Sequence, residues 1–266
     1  MIQNSRTILK KKLDYHYRAF DKSRISPDPL QFLHLFSDKK DIEVMGFIAS
    51  VFAYGNVNQI NNVLNSFLKL SDHKPYRFIL DFSEDNEIIN IEFLRHRFFT
   101  SGDIKKLFLI LKHVYQTFGS LYKLFILNFK NPDPDIKNAL NFFNNYMINT
   151  AARLNGDKPL SSGLKFMFPL PGNGSACKRS NLFLRWMVRK DELDFGIWKA
   201  IPPDRLIIPV DTHIARICKE LKLTRRKTVS WKMAKEITLN LKSFDPEDPV
   251  KYDFAICHIG MRKMKF

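Results

Sequence analysis

The sequence predicts a mainly α-helical protein. Three observations carry this reading. Apolar residues recur at three and four positions in several stretches. No stretch shows sustained strand-type alternation. Helix-start signals stand before two of the periodic runs.

Taken in order, Met45, Ile48, Ala49, Phe52 and Ala53 form a first apolar helical face. Asp103, after Ser101-Gly102, reads as a helix start. Ile104, Leu107, Phe108, Leu111, Val114, Tyr115 and Phe118 then make one continuous stripe. Asn131-Pro132-Asp133-Pro134 is a turn between helices, and residues 154–162 are polar and loop-like. Residues 168–175, with two prolines and two glycines, are the sharpest break. A second amphipathic stretch follows, with Lys178 near its start. Ile201-Pro202-Pro203 and Ile208-Pro209 interrupt the chain again before Ile214, Ile217, Cys218 and Leu221. Asp248-Pro249 reads as an N-cap with proline in the first turn of a helix over 250–259.

The composition excludes several classes. With 266 residues and 45% hydrophobic content, the chain can bury a large core, so global disorder is excluded. No apolar run approaches the ~18 residues of a membrane span. The first residues lack the apolar stretch of a secretory signal. Three scattered cysteines argue against a disulfide framework and for a reducing, cytoplasmic setting. They also exclude a four-cysteine zinc or iron–sulfur site within the chain, and no metal is expected. The formal charge is +16. Residues 161–266 hold 21 Lys/Arg against 11 Asp/Glu, and residues 1–160 hold 22 against 16. A basic excess concentrated in the shorter part points to a polyanion, with nucleic acid the first expectation. A division near residue 165 fits both this shift and the loop chemistry.

Two segments carry candidate chemistry. Leu170-Pro171-Gly172-Asn173-Gly174-Ser175-Ala176-Cys177-Lys178-Arg179-Ser180-Asn181 is a Gly-rich turn feeding a helix. Backbone amides at such a helix start favour a phosphate. An ordinary turn into a helix would have the same look, and the spacing is not that of a P-loop. Val210-Asp211-Thr212-His213-Ile214-Ala215-Arg216-Ile217 places an Asp at the opening of another helix, which is also a common capping arrangement. Each segment alone leads only to a DNA-binding α-domain.

Together the two segments resemble the helix–hairpin–helix DNA glycosylase superfamily. That family carries a Leu-Pro-Gly-x-Gly hairpin, a Lys with Asn three residues on, and a Val-Asp-Thr-His-x-x-Arg-Val-like segment. The wider chain also resembles an uncharacterised bacterial family that shares the stretch seen here as Cys177–Lys190. The superfamily resemblance implies a two-lobed helical fold, with one lobe over 30–165 and a second over 1–29 plus 166–266. It implies a monomeric, cytoplasmic, nucleoid-associated repair enzyme acting on double-stranded DNA with a damaged base. Lys178 would be the nucleophile of a bifunctional glycosylase and AP lyase, and Asp211 its catalytic carboxylate. Gly172, Gly174, Ser175, Arg179, Asn181, His213 and Arg216 would grip DNA. No cofactor is implied beyond a monovalent cation, which some family hairpins hold through backbone carbonyls.

Departures shape these expectations. Lys178 follows Gly174 by four residues, where the family has two. Lys178 and Asp211 are 33 residues apart, similar to the archaeal branch that removes 8-oxoguanine. Residues 191–207 would be the insertion, and an oxidised purine is the favoured base. The final residues, Met261–Phe266, look short for the family. In the first half, Asn56, Asn58 and Gln59 read as a polar loop, and Asn56 and Gln59 are base-pocket candidates. Trp198 is the stacking candidate, whereas Trp186 reads as core. Arg95, His96 and Arg97 are either phosphate contacts or a solvated face. The alternative function is a catalytically inactive nucleic-acid-binding helical module.

Overall fold

The computed structural model describes residues 2–19, 21–83, 91–156 and 158–261, with side chains described between Arg6 and Cys257. The fold is mainly α, and no strand occurs among the described residues. In chain order the helices are α1 (Ile2–Ala19), α2 (Lys39–Phe52), α3 (Val57–Leu70), α4 (Pro75–Asp81), α5 (Ser101–Phe118) and α6 (Leu121–Ile126). They continue as α7 (Lys137–Leu154), α8 (Ser162–Met167), α9 (Lys178–Val188), α10 (Thr212–Glu220), α11 (Trp231–Lys242) and α12 (Asp253–Met261). None of the helices among the described residues is long and apolar enough to cross a membrane. Residues 262–266, the end that looked short by sequence, lie outside the described residues.

The chain forms two units. One holds Met1–Ile25, Pro134–Ile136 and Pro171–Phe266; the other holds Ser26–Asp133 and Lys137–Leu170. The sequence division near 165 falls five residues early, because α8 stays with the preceding helices. Pro134–Ile136 crosses to the first unit, where the Ile136 amide donates to the Arg205 carbonyl at 3.2 Å and Asp135 pairs with Lys235 at 2.8 Å.

In the second unit, α2 is buried on every side from Ile42 to Phe52, as a helix without a polar face must be. Its one buried carboxylate, Glu43, accepts from the Tyr115 hydroxyl at 2.7 Å and the Leu121 amide at 3.0 Å. It thereby satisfies amides at the start of α6 that have no partner within that helix. The stripe from Ile104 to Tyr115 is the buried face of α5. That helix starts two residues before Asp103: Thr100 is the N-cap and Asp103 closes a capping box with it.

The C-terminal boundary is also revised. Asp248 makes no side-chain cap; a short 3-10 turn covers Pro249–Tyr252 and α12 begins only at Asp253. The Asp248 carboxylate is drawn away by Arg189, whose Nε and Nη2 donate to it at 2.8 and 2.9 Å. A charge-assisted fork of this kind outweighs one backbone amide.

The 191–207 segment folds back on α9. The Phe195 amide donates to the Trp186 carbonyl at 2.9 Å, and the Trp198 amide to Met187 at 2.8 Å. Trp198 is 1% exposed and sits edge-on against Phe183, with ring centres 5.2 Å apart. It is a core residue of the first unit, so its role as a base-stacking platform is corrected. Trp186 is core as well, at 0% exposed.

Candidate functional site

The segment after Leu170 makes one short 3-10 turn, Pro171–Asn173. Gly174 follows with φ +84°, a conformation that favours glycine. Its N–H donates to the Pro171 carbonyl at 3.1 Å, and its own carbonyl accepts from the Trp231 amide at 2.9 Å. The turn is thus tied to the first residue of α11. Ser175 Oγ accepts from the Cys177 amide at 3.2 Å. Cys177, at φ +48°, turns the chain into α9 in a backbone region non-glycine residues rarely adopt. Burial pushes its thiol up to about 12, against the Ser175 hydrogen bond and the Arg179 charge. It stays a protonated thiol at neutral pH.

Lys178 is the first residue of α9, and Asp211 is the N-cap of α10. Lys178 Nζ lies 3.1 Å from Asp211 Oδ2. Asp211 also accepts the Ile214 amide at 2.9 Å, so it caps and pairs at once. Both side chains keep access to solvent, at 30% and 37% exposed. Burial alone would raise the Asp211 carboxyl. The Lys178 charge, the Ile214 amide and His213 together outweigh that and hold it below the usual carboxylate range.

The other sequence-predicted residues divide. Gly172, Gly174 and Arg216 are exposed, and Ser175 is half-buried with its hydroxyl turned to its own loop. His213 is half-buried, and its Nε2 has no hydrogen-bond partner among the described residues. Arg179 and Asn181 are buried, at 6% and 1% exposed, and offer no open face to a phosphate. The Asn181 amide group donates to the Ala176 carbonyl at 3.0 Å, which fixes the exit of the turn. The carbonyls of Pro171, Gly174 and Ala176 each face an N–H of this chain. Among the described residues no group of three or more His, Cys, Asp or Glu could hold a metal ion.

Sequence reasoning missed a buried ion network behind Lys178. Arg185 donates to Asp253 at 2.6 Å and to Asp194 at 3.1–3.3 Å. Arg189 pairs with Asp194, with Asp248 at 2.8 Å and with Asp191 at 2.9 Å. Burial pushes the Asp194 and Asp253 carboxyls up, against the pull of the guanidiniums, and Lys178 also acts on Asp253. The readable signal was two arginines four residues apart within Phe183–Val188 and Arg189, an otherwise apolar run.

The second unit carries its own group. Asn56 is the N-cap of α3 and accepts from the Asn58 and Gln59 amides at 2.9 and 3.4 Å. These residues are a helix start and not a loop, and the Asn56 oxygen is already committed. Gln59 is exposed. Beside them, His96 and Phe99 form an antiparallel bridge with Arg97 and Phe98 at its tip. His96 is buried, and its Nε2–H donates to the Tyr54 carbonyl at 3.0 Å. Arg97, at φ +53°, lies over the rings of Tyr54 and Phe98 at 5.6 and 5.4 Å. Phe98 is 59% exposed, and Phe166 stands edge-on to it at 5.8 Å.

A family described as "Protein of unknown function (DUF2400)" matches residues 28–262. The chain belongs to that family. No curated protein and no solved structure matches it. The match spans both the Lys178–Asp211 pair and the Arg97–Phe98 tip, so the two features occur together within the DUF2400 region.

Proposed function

We propose that this protein is a DNA glycosylase with AP lyase activity, acting on a damaged base in duplex DNA through a lysine Schiff base. One observation carries the reading. An amino group and a carboxylate 33 residues apart in sequence meet at 3.1 Å, at two helix starts, and both keep access to solvent. The resemblance to the helix–hairpin–helix glycosylases motivates the choice of reaction. The net charge of +16 and the exposed Arg97–Phe98 tip favour a polyanion with flat bases.

In this reading the target base leaves the stack at a cost of a few kcal/mol. The Lys178 nitrogen, after loss of its proton, forms a bond to the anomeric carbon as the bond to the base breaks. Asp211, ionised at neutral pH, stabilises the cationic sugar and takes up the proton. The departing base keeps the electron pair of the broken bond and takes that proton from Asp211. The C1′–O4′ bond then opens, a nitrogen proton passing to O4′, to give the protonated imine. Loss of the acidified C2′ proton expels the 3′ phosphate by β-elimination. An oxidised purine is the favoured base. Grip on the phosphates weakens steeply with salt, because it rests on counterion release.

The test is borohydride trapping on duplexes carrying 8-oxoguanine, uracil, an abasic site or no lesion, with Lys178→Ala alongside. A lesion-dependent covalent adduct that vanishes in Lys178→Ala is the expected result. Salt-sensitive DNA binding without any adduct would sink the lyase step and leave a monofunctional enzyme or an inactive binding module.

A further inference from the structure

The first unit contains a groove of about 840 Å³ that the Lys178–Asp211 reading does not use. It lies between α1, the turn after α10 and the outer side of α11. It sits at the C-terminal end of α10, whereas Asp211 caps the other end. Nine helical residues span about 13 Å.

The lining has two parts. Ile8, Leu9, Leu221 and Leu223 supply aliphatic surface, and Ile8 is 50% exposed. Arg6, Lys12, Lys222 and Arg225 supply cations. Arg6 is held in place: it donates to Asn240 Oδ1 and Ser243 Oγ, both at 3.0 Å, and lies over the Phe244 ring. Lys222 stands at φ +58° just past the end of α10, where glycine is the usual residue. Of the two glutamates in the lining, Glu236 is engaged by Arg226 at 2.6 Å and by the Arg225 amide at 3.1 Å. Four cations therefore stand against Glu220. The basic character continues along exposed Lys219, Arg226 and Lys227.

The kind of surface decides the kind of partner. Single-stranded nucleic acid needs open ring faces for its bases. The one ring here, Phe244, is 8% exposed and covered by Arg6. Aliphatic side chains offer a phosphate backbone nothing. Cations around an aliphatic floor suit carboxylates next to an apolar side chain. We propose that this groove docks an acidic peptide segment of a partner protein, with an aliphatic residue seated against Ile8 and Leu221. The proposal is independent of the Lys178 chemistry.

The test uses the full chain and a fluorescein-labelled peptide, Asp-Asp-Leu-Asp-Leu-Leu, followed by fluorescence anisotropy. An Asn-for-Asp version is the charge control. Two variants at exposed positions probe the two halves of the groove. Lys222→Glu with Arg225→Glu should weaken binding about tenfold or more, since like charges are brought together. Ile8→Gln should weaken it about threefold to tenfold through lost apolar contact. Both should melt as the wild type does, and borohydride trapping should be unchanged in both. No saturable binding of the Asp peptide, or equal binding of the Asn peptide, would overturn the proposal. Displacement of the peptide by a dT oligonucleotide would also overturn it and assign the groove to nucleic acid.

Discussion

Lys178 and Arg185 stand two turns apart on one face of α9, and each meets a carboxylate at the start of another helix. Lys178 meets Asp211, which caps α10; Arg185 meets Asp253, the first residue of α12. The two pairs differ in burial. Arg185 and Asp253 are 3% and 5% exposed, while the Lys178 pair stays open to solvent. The inner pair ties α9 to α12, and the outer pair ties α9 to α10 while both of its side chains stay part-exposed.

Asp211→Asn separates the two jobs of Asp211. Asn caps a helix about as well as Asp, so stability should stay within about 0.5 kcal/mol of wild type at neutral pH. Asp211→Ala should lose about 1 kcal/mol from the cap. The part-exposed ion pair adds less than about 0.5 kcal/mol after solvent screening. Trapping should fall in both variants. The Asp211 carboxyl titrates lower in the folded protein than in the unfolded chain. Its charge therefore stabilises the fold fully above pH about 4 and stops doing so as pH falls through the folded value. Melting curves across acid pH should show the wild-type advantage over Asp211→Asn shrinking. An advantage that is constant with pH would argue against the pairing.

Arg185→Met should destabilise the first unit by about 3–5 kcal/mol. It leaves Asp194 and Asp253 buried without their shared guanidinium. The loss should be smaller in mild acid, where the two raised carboxyls take up protons. Urea unfolding at two pH values reads both effects. Equal losses at both would mean that the carboxylates are not what the arginine compensates.

Gly55 and Gly174 both have positive φ, yet their alanine variants should differ. An added Cβ at Gly174 meets nothing within 4 Å, so only backbone strain of about 1 kcal/mol is expected. At Gly55 the Cβ would lie 2.6 Å from Arg97 Nη1 and 2.7 Å from its Cδ. Gly55→Ala should therefore cost about 2–3 kcal/mol or swing Arg97 off the Tyr54 ring. Urea unfolding with tyrosine fluorescence distinguishes the two responses.

Phe98→Ala and Trp198→Ala should behave oppositely. Phe98 is exposed, so its loss should leave stability within about 0.5 kcal/mol and lower DNA affinity about 5- to 100-fold. Trp198 is core, so its loss should cost about 3–5 kcal/mol. Calorimetry and anisotropy with a duplex carrying an unpaired base measure the two quantities. Unchanged affinity in Phe98→Ala would remove the tip from the DNA surface.

Lys178 and Asp211 were singled out through a family resemblance; the helical class, the stripe from Ile104 to Tyr115 and the core place of Trp186 were legible in the sequence alone. Each rests on local spacing or on a short motif, and both are properties of neighbouring residues. Tertiary structure decided the rest. Asp248 lost its capping role because Arg189, 59 residues away, offers a stronger partner. Asn56 became a cap because α3 begins beside it, and Trp198 went inside because its segment folds back on α9. Arg185 and Arg189 are buried where four aspartates converge on them from two stretches of chain, 191–194 and 248–253. Such convergence depends on how the helices pack, and one helix's periodicity carries no record of its partner.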